Sequence, residues 1–507
     1  MRQLPSTESS FSIERRSAEH KYALANYWQD ESLIETRFDR CASGEQTTAP
    51  AENPLARLST HHYHRGGPLR LDSSNPVPLN TRVIHSMTNL SRREILVGAA
   101  ASAAALGVAG AARAASEVTF GNPDRPPEGR INGKSPTSLD DPGPQNQALA
   151  GQFPNFQDPP ATDVNGMQLF WASFNNAHRR YQNGGWAREV TQGDFAISKD
   201  FAGVNMRLGQ NGIRELHWHQ QSEWAIVTDG VCRISILDEK GRPQVADVKT
   251  GDLWFFPPGL PHSLMGVGPT GSEFMLGFDN GMASEFNTLL LTDFMAHMPP
   301  SVLAKNFGVP AEVFKDIPVD NLWIFQGTDP GPLAAVQKAS QGGRAPPPNP
   351  YVYAFSEQQP DYQTKSGSIK IVDSTKFITS TTTAAALLTI KPGGVRELHW
   401  HPNADEWQYW IKGKGRMTVF DTGPKAATAD FRAGDIGYVK KSLGHYIENT
   451  GDTDLVMLGL FKTDHYQEVS LSDWLTHSPP QMVMQTLNIS AETFGKFPRN
   501  HPGVMPP

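Results

Sequence analysis

Arg214-Glu215-Leu216-His217-Trp218-His219 occurs a second time, unchanged, as Arg396-Glu397-Leu398-His399-Trp400-His401, 182 positions later. Each copy is followed by one carboxylate, Glu223 or Glu406, and by a distant third histidine, His262 in Gly-Leu-Pro-His and His445 in Ser-Leu-Gly-His. Three imidazoles and one carboxylate, delivered twice, are the donors of two mixed nitrogen–oxygen metal sites. Residues two apart share one face of a strand, so His217 and His219 point the same way, as do His399 and His401. Glu223 and Glu406 then lie beyond a turn or bulge, which lets different spacings serve one role. A lone His-x-His pair is ordinary, but a whole donor set recurring in parallel frames is the mark of a repeated domain. Donor type alone admits iron, zinc, copper or nickel.

The elements that carry these donors recur with them. Gly251-Asp252 matches Gly434-Asp435 and His262 matches His445 at an offset of 183, whereas Asp293 matches Asp473 and Glu312 matches Glu492 at 180. The first copy therefore holds three extra residues, within Gly281-Met-Ala-Ser284-Glu285-Phe286-Asn287-Thr288. Strands are predicted around 195–208, 213–219, 223–228, 231–238, 253–257 and 272–278, parted by turn signals such as Asp229-Gly230 and Thr250-Gly251-Asp252. Helical spacing appears over 291–318. Many short strands with regular turns argue for an all-β barrel or sandwich in each half, with short helices at the C-terminal end of each half. The domains follow: 166–326, a Pro/Gly/Gln-rich linker over 327–350, and 351–507.

A chain of 507 residues exceeds one ordinary core. A formal charge of −7 without a basic block argues against nucleic acid, so an anionic substrate has to be attracted by a metal or a placed arginine. Cys41 and Cys232 are the only cysteines, which excludes a disulfide framework and a thiolate metal cage. Residues 1–86 are polar and irregular and read as a non-native or disordered extension; 116–165 read as an extended arm. Between them, 87–115 carry Arg92-Arg93, a modest apolar run over 96–112 and Ala-Arg-Ala-Ala-Ser, the features of a twin-arginine export signal. The run is Ala-rich and shorter than the roughly 20 strongly apolar residues of a membrane span. The expectation is translation from Met87, export by the twin-arginine machinery to the periplasm or medium, and a mature protein outside the membrane that retains Cys232 alone.

The motif pair Gly393-x5-His399-x-His401-x4-Glu406-x6-Gly413 and Gly434…His445-x3-Asn449 resembles that of the cupins. The first copy is similar, with Asn211 and Gly266 at the places of the leading Gly and final Asn; in the second, Lys440 and Ser442 stand for the usual Pro and Gly. Over 150–500 the chain is most similar to the bacterial oxalate decarboxylases, which are bicupins. That resemblance implies two double-stranded β-helix (jelly-roll) barrels, two Mn(2+) per chain with dioxygen as co-catalyst, and conversion of oxalate to formate and carbon dioxide, in a homo-oligomer. His217, His219, Glu223 and His262 are then the first set of metal ligands, and His399, His401, Glu406 and His445 the second.

The resemblance also implies catalytic roles. Arg214 and Arg396 are the arginines that would orient oxalate, although strict alternation puts each on the face opposite its histidines, so a bulge is required. Glu285 is the proton donor on a mobile lid, with Ser284, Phe286 and Asn287 as lid neighbours; Trp254 is placed at the substrate or lid. Some relatives carry a second-site glutamate fourteen residues after the last metal histidine. That position is Gly459 here, so the second site reads as a structural one without an obvious acid. An oxalate oxidase, yielding carbon dioxide and hydrogen peroxide, is the enzymatic alternative; a non-catalytic metal-binding bicupin is the other.

Overall fold

The structure, a computed structural model, describes residues 144–507 except 165, 320–321, 342–348 and 424. The expected extension, export signal and first part of the arm lie outside the described residues. All described residues belong to one compact unit, Leu96–Pro507.

Each half folds into a jelly-roll barrel of antiparallel strands. In the first, the expected strands 223–228 and 231–238 are one bent strand, Glu223–Leu237, whose partner His262–Phe278 bends beside it. The register slips at Val227/Asp229 and Gly230/Val231, so the Asp229-Gly230 turn signal marks a corner rather than an end. Gly230 has φ 74° there, and a Cβ on it would sit 2.1 Å from the Gly271 carbonyl oxygen. Its counterpart Gly413, φ 84°, splits the equivalent strand of the second barrel into Glu406–Lys412 and Lys414–Asp421. The second barrel is therefore two sheets, of seven and six strands, while the first is one continuous sheet of eleven. Residues 195–201, expected as strand, form turns that precede the strand Ala202–Leu208.

The barrels exchange strands. Trp171–Ser173, in sequence part of the first half, pairs with Asp435–Val439 of the second, and Val352–Tyr353 pairs with Leu253–Phe256 of the first. One apolar cluster accordingly runs across the junction: Phe174, Phe201, Trp224 and Phe255 pack with Trp407, Tyr438 and Leu460. The described arm lies on the second barrel through two short helices, the Phe153–Trp171 ring contact and the Val164–Ala426 bridge. The linker contains a helix, Leu333–Ser340, that packs on the first barrel through a Gln337 side-chain hydrogen bond to the Val245 carbonyl. Helices are formed where the sequence periodicity placed them, at Leu291–Ala296 and Pro300–Phe307, and again at Leu471–His477 and Pro480–Leu487. They leave Phe294, Phe307, Trp474 and Met482 exposed. No helix among the described residues is long and apolar enough to cross a membrane.

Candidate metal centres and the lid

The two hexapeptides lie on the equivalent strands Gly212–Trp218 and Val395–Trp400. Both strands carry the bulge that the arginines require: the register shifts between Arg214 and His217, and between Arg396 and His399. One extra residue turns the arginine onto the histidine face. Arg214 and His217 are both buried while Leu216 is 53% exposed, and Arg396, His399 and Leu398 repeat that pattern. Each third histidine lies at the start of the neighbouring strand, directly opposite the first, His262 against His217 and His445 against His399. Glu223 and Glu406 each begin the strand after the connecting turn. The four donor atoms of each set lie within 4.8 Å of one another, and all eight side chains are buried.

The surroundings set every donor for a cation. The Nδ1 atoms of His217, His262, His399 and His445 lie 2.6–3.1 Å from the carbonyls of Glu215, Leu260, Glu397 and Leu443. A carbonyl only accepts, so Nδ1 carries the hydrogen and Nε2 keeps its lone pair toward the centre. His217 Nε2, His219 Nε2, His262 Nε2 and Glu223 Oε2 are buried without a hydrogen-bond partner, a costly arrangement unless something charged sits among them. Burial, with Arg214 and Arg396 beside them, holds the His217 and His399 imidazoles well below their usual pKa and so neutral. Burial alone would raise the Glu223 and Glu406 carboxyls, but the imidazoles beside them bring both down, so both are ionised. Neutral imidazoles and an ionised carboxylate are the protonation states that bind a divalent metal. Trp254, expected at the substrate or lid, is fully buried and instead donates its indole N–H to Glu223 Oε1 at 2.8 Å, orienting a ligand from behind.

Over the first centre, the segment that includes the three extra residues is closed. Glu285 is fully buried and pairs through Oε1 with Arg214 Nε; its other oxygen has no partner and lies 3.7 Å from His219 Nε2. Thr288 accepts from Arg214 at 3.0 Å. Three residues missed in the sequence hold this segment down. Glu189 accepts from the Ser284 hydroxyl and from the Glu285 N–H, both at 2.8 Å. Trp323 donates its indole N–H to the Glu285 carbonyl at 3.3 Å and packs edge-on against Phe286. Arg180 stacks its guanidinium 4.2 Å above the Trp323 ring. Asn287 is exposed at the tip, where it faces a cavity of about 570 Å³ shared with Trp218, Ser284, Asp293 and His297. Glu189 and Arg180 come from strands some hundred residues away, which no local pattern links to the lid.

The second centre differs. Its cavity, lined by Arg396, His399, His401, Glu406 and Tyr466, is about 10 Å³, roughly the space of one water. The reading that it has no acidic neighbour is corrected: Glu468, its side chain 8% exposed, pairs with Arg396. Gly459 lies close against the ligand, a Cβ there standing 2.9 Å from Glu406 Oε1. The carboxylate comes instead from the loop equivalent to the lid, and Glu468 stands 183 positions after Glu285, the offset of Glu223 to Glu406 and of His262 to His445. Glu468 also accepts from the Tyr466 hydroxyl, and its other oxygen lies against the His501 ring.

Known proteins share this arrangement. The cupin family profile matches residues 172–315 and 353–494. Oxalate decarboxylase of Bacillus subtilis is 46% identical over 349 residues, 69% of this chain and 90% of that protein. A probable oxalate decarboxylase of Arthroderma benhamiae is 39% identical, over 69% of this chain and 86% of that protein. A solved structure of the Bacillus subtilis enzyme, studied for its Mn(II) centres, superposes with a TM-score of 0.71 at 42% identity, covering 75% of this chain and 99% of that one. A structure of the same enzyme at pH 4.6 superposes equally well, with a TM-score of 0.71 at 43% identity. With a cupin match in each half and these identities over most of each relative's length, the chain belongs to the oxalate decarboxylase family of bicupins.

Proposed function

We propose that this protein decarboxylates oxalate to formate and carbon dioxide, with manganese in both donor sets, dioxygen as co-catalyst, and turnover at the first centre. The observation that carries this reading is the unpartnered, buried oxygen of Glu285 beside the first set of ligands. Bound manganese, with dioxygen, would supply the reversible one-electron oxidation that weakens the carbon–carbon bond. The protein's own groups do the rest. Arg214 offers a desolvated guanidinium next to the ligands, which suits one carboxylate of a small dianion. Closure of the lid excludes water from the centre. Glu285, a carboxylate in its ion pair with Arg214, takes up one proton from hydrogen oxalate or solvent and, after carbon dioxide leaves, passes it to the remaining carbon, which closes the balance of oxalate plus one proton to formate plus carbon dioxide. The cavity of about 570 Å³ at the lid supports entry there, and the 10 Å³ cavity supports a structural role for the second centre.

Glu285 favours this reading over an oxalate oxidase, which would release the fragment without protonating it and pass electrons to dioxygen. Two complete ligand sets favour it over a non-catalytic bicupin. Arg92-Arg93, the apolar run and the Ala-rich end that follows support export by the twin-arginine route, which moves folded and metal-loaded proteins. That order matters because manganese binds nitrogen–oxygen sites more weakly than zinc or copper. The apolar side chains exposed on both helical arms, Phe294 and Phe307, Trp474 and Met482, support a homo-oligomer. The test is a product balance. The manganese-loaded protein given oxalate and air should yield formate and carbon dioxide in equal amounts with little hydrogen peroxide. Hydrogen peroxide in place of formate would assign the oxidase.

A further inference from the structure

The two centres sit in nearly the same framework, but their second carboxylates are wired differently. In the first half, the donors to Glu215 among the described residues are neutral: the Thr292 N–H and hydroxyl at 3.2 and 2.8 Å and the Trp323 N–H at 2.7 Å. In the second half its counterpart Glu397 takes the Ser470 hydroxyl at 2.8 Å and the Gly503 N–H at 3.1 Å. It also takes a charge, since His501 Nδ1 lies 2.6 Å from Glu397 Oε1. The other ring nitrogen of His501 pairs with Glu468. One imidazole from the C-terminal tail thus bridges two carboxylates, each tied to the second centre. Glu397 gives its carbonyl to the ligand His399, and Glu468 is bound to Arg396, which lines the cavity. The tail is itself anchored, because Val504–Met505 pairs with the hexapeptide strand and the Gly503 carbonyl accepts from Arg396 at 3.1 Å. In sequence, the residue at the matching position of the first half is Asn321.

We infer that His501 is a positioning residue that clamps the second centre shut, so that its metal exchanges slowly and a dianion the size of oxalate does not enter. Two features make the bridge suited to this. It sets one imidazole between two buried carboxylates, Glu397 and the Arg396-bound Glu468. It also stands between the second oxygen of Glu468 and the tail, whereas the second oxygen of Glu285 lies 3.7 Å from the ligand His219. The single-water cavity follows from this closure: Arg396 cannot swing out without breaking its contacts to Glu468 and the tail. His501 burial is partial, 14% exposed, so the clamp is reachable from the surface and can be opened by substitution.

This inference rests on the second donor set holding manganese, and the experiment separates the two. The His217→Ala protein carries metal at the second centre only. Loaded with manganese and exposed to excess EDTA, it is compared with His217→Ala/His501→Ala and with His217→Ala/His501→Asn, the residue the first half carries at that position. The clamp is expected to slow manganese release at least tenfold, so both double variants should release it at least ten times faster. The manganese spectroscopic signal should broaden as the second centre becomes accessible. A tail that served only to stabilise the fold would lower the thermal midpoint and leave the release rate within twofold of the parent; that result overturns the clamp. If His217→Ala holds no manganese at all, the second donor set is not a metal site, and the clamp falls with it. If the alanine variant does not fold, the asparagine variant decides alone.

Discussion

Glu285 and Arg214 form an ion pair with both side chains sealed from solvent, at most 1% exposed, 71 residues apart in the chain. A buried pair of this kind is costly to desolvate and strongly destabilising to break on one side only. Its use is positional: the arginine holds one oxygen of Glu285 so that the other faces the ligand histidines. The segment is therefore held closed through the residue proposed as the proton donor, with Glu189 and Trp323 bonded behind it.

Glu189 is the principal anchor behind the lid. Burial pushes its carboxyl pKa up, and the Ser284 hydroxyl and Glu285 N–H oppose that rise. Glu189→Gln keeps the size but weakens two charge-assisted hydrogen bonds, each typically about 1.5–3 kcal/mol. The expected outcome is a fall of roughly tenfold to a hundredfold in formate production, by that arithmetic, with manganese content unchanged. Steady-state formate assays and elemental analysis check it.

Much of this site was legible in the sequence, for physical reasons that can be named. The hexapeptide repeat gave the ligands because metal geometry forces identical donors into identical frames. Strand alternation alone would put the arginines on the face opposite the histidines; the roles implied by the resemblance required a bulge before His217 and His399, and both bulges are present. Glu468 was missed because counting from His445 assumes the acid rides on the same strand. Counting from Glu285 at the ligand offset lands on it. His501, Arg180 and Glu189 left no local signal, since each reaches the centres by tertiary pairing. Trp254 was assigned to the wrong side of the ligands: strand alternation gives its face, but not what fills the space behind Glu223.

Trp254→Phe tests that corrected position. It removes the donor on Glu223 Oε1 while retaining the ring's bulk in the first core cluster. Loss of such an outer hydrogen bond typically weakens a metal site by about 10–100-fold. Manganese titration of a second-site-deleted background, His399→Ala/Trp254→Phe against His399→Ala, should show that loss. An unchanged affinity would assign the tryptophan to packing alone.

The bridge at His501 also makes stability depend on pH. Its contacts with Glu397 and then Glu468 raise the imidazole pKa from 6.5 to about 9. A pKa raised on folding contributes stability that is complete below the unfolded value and is lost as pH rises through the folded one. The parent should therefore lose stability between about pH 6.5 and 9, on the order of 2 kcal/mol after allowance for partial exposure. Denaturant unfolding of the parent and of His501→Gln across that range measures it, and the variant's curve should be the flatter.

The central claim is that Glu285 delivers the proton that makes the product formate, and Glu285→Gln tests it most directly. The amide keeps the lid's size and can still meet Arg214 through its oxygen, but it has no acidic proton to give. Formate production should fall by at least about a hundredfold, the lower range for a general acid. Manganese per chain should be unchanged, because Glu285 belongs to neither donor set, and hydrogen peroxide per oxalate consumed should rise. Formate at the parental rate from fully loaded Glu285→Gln protein would contradict the claim and move the chemistry to another acid.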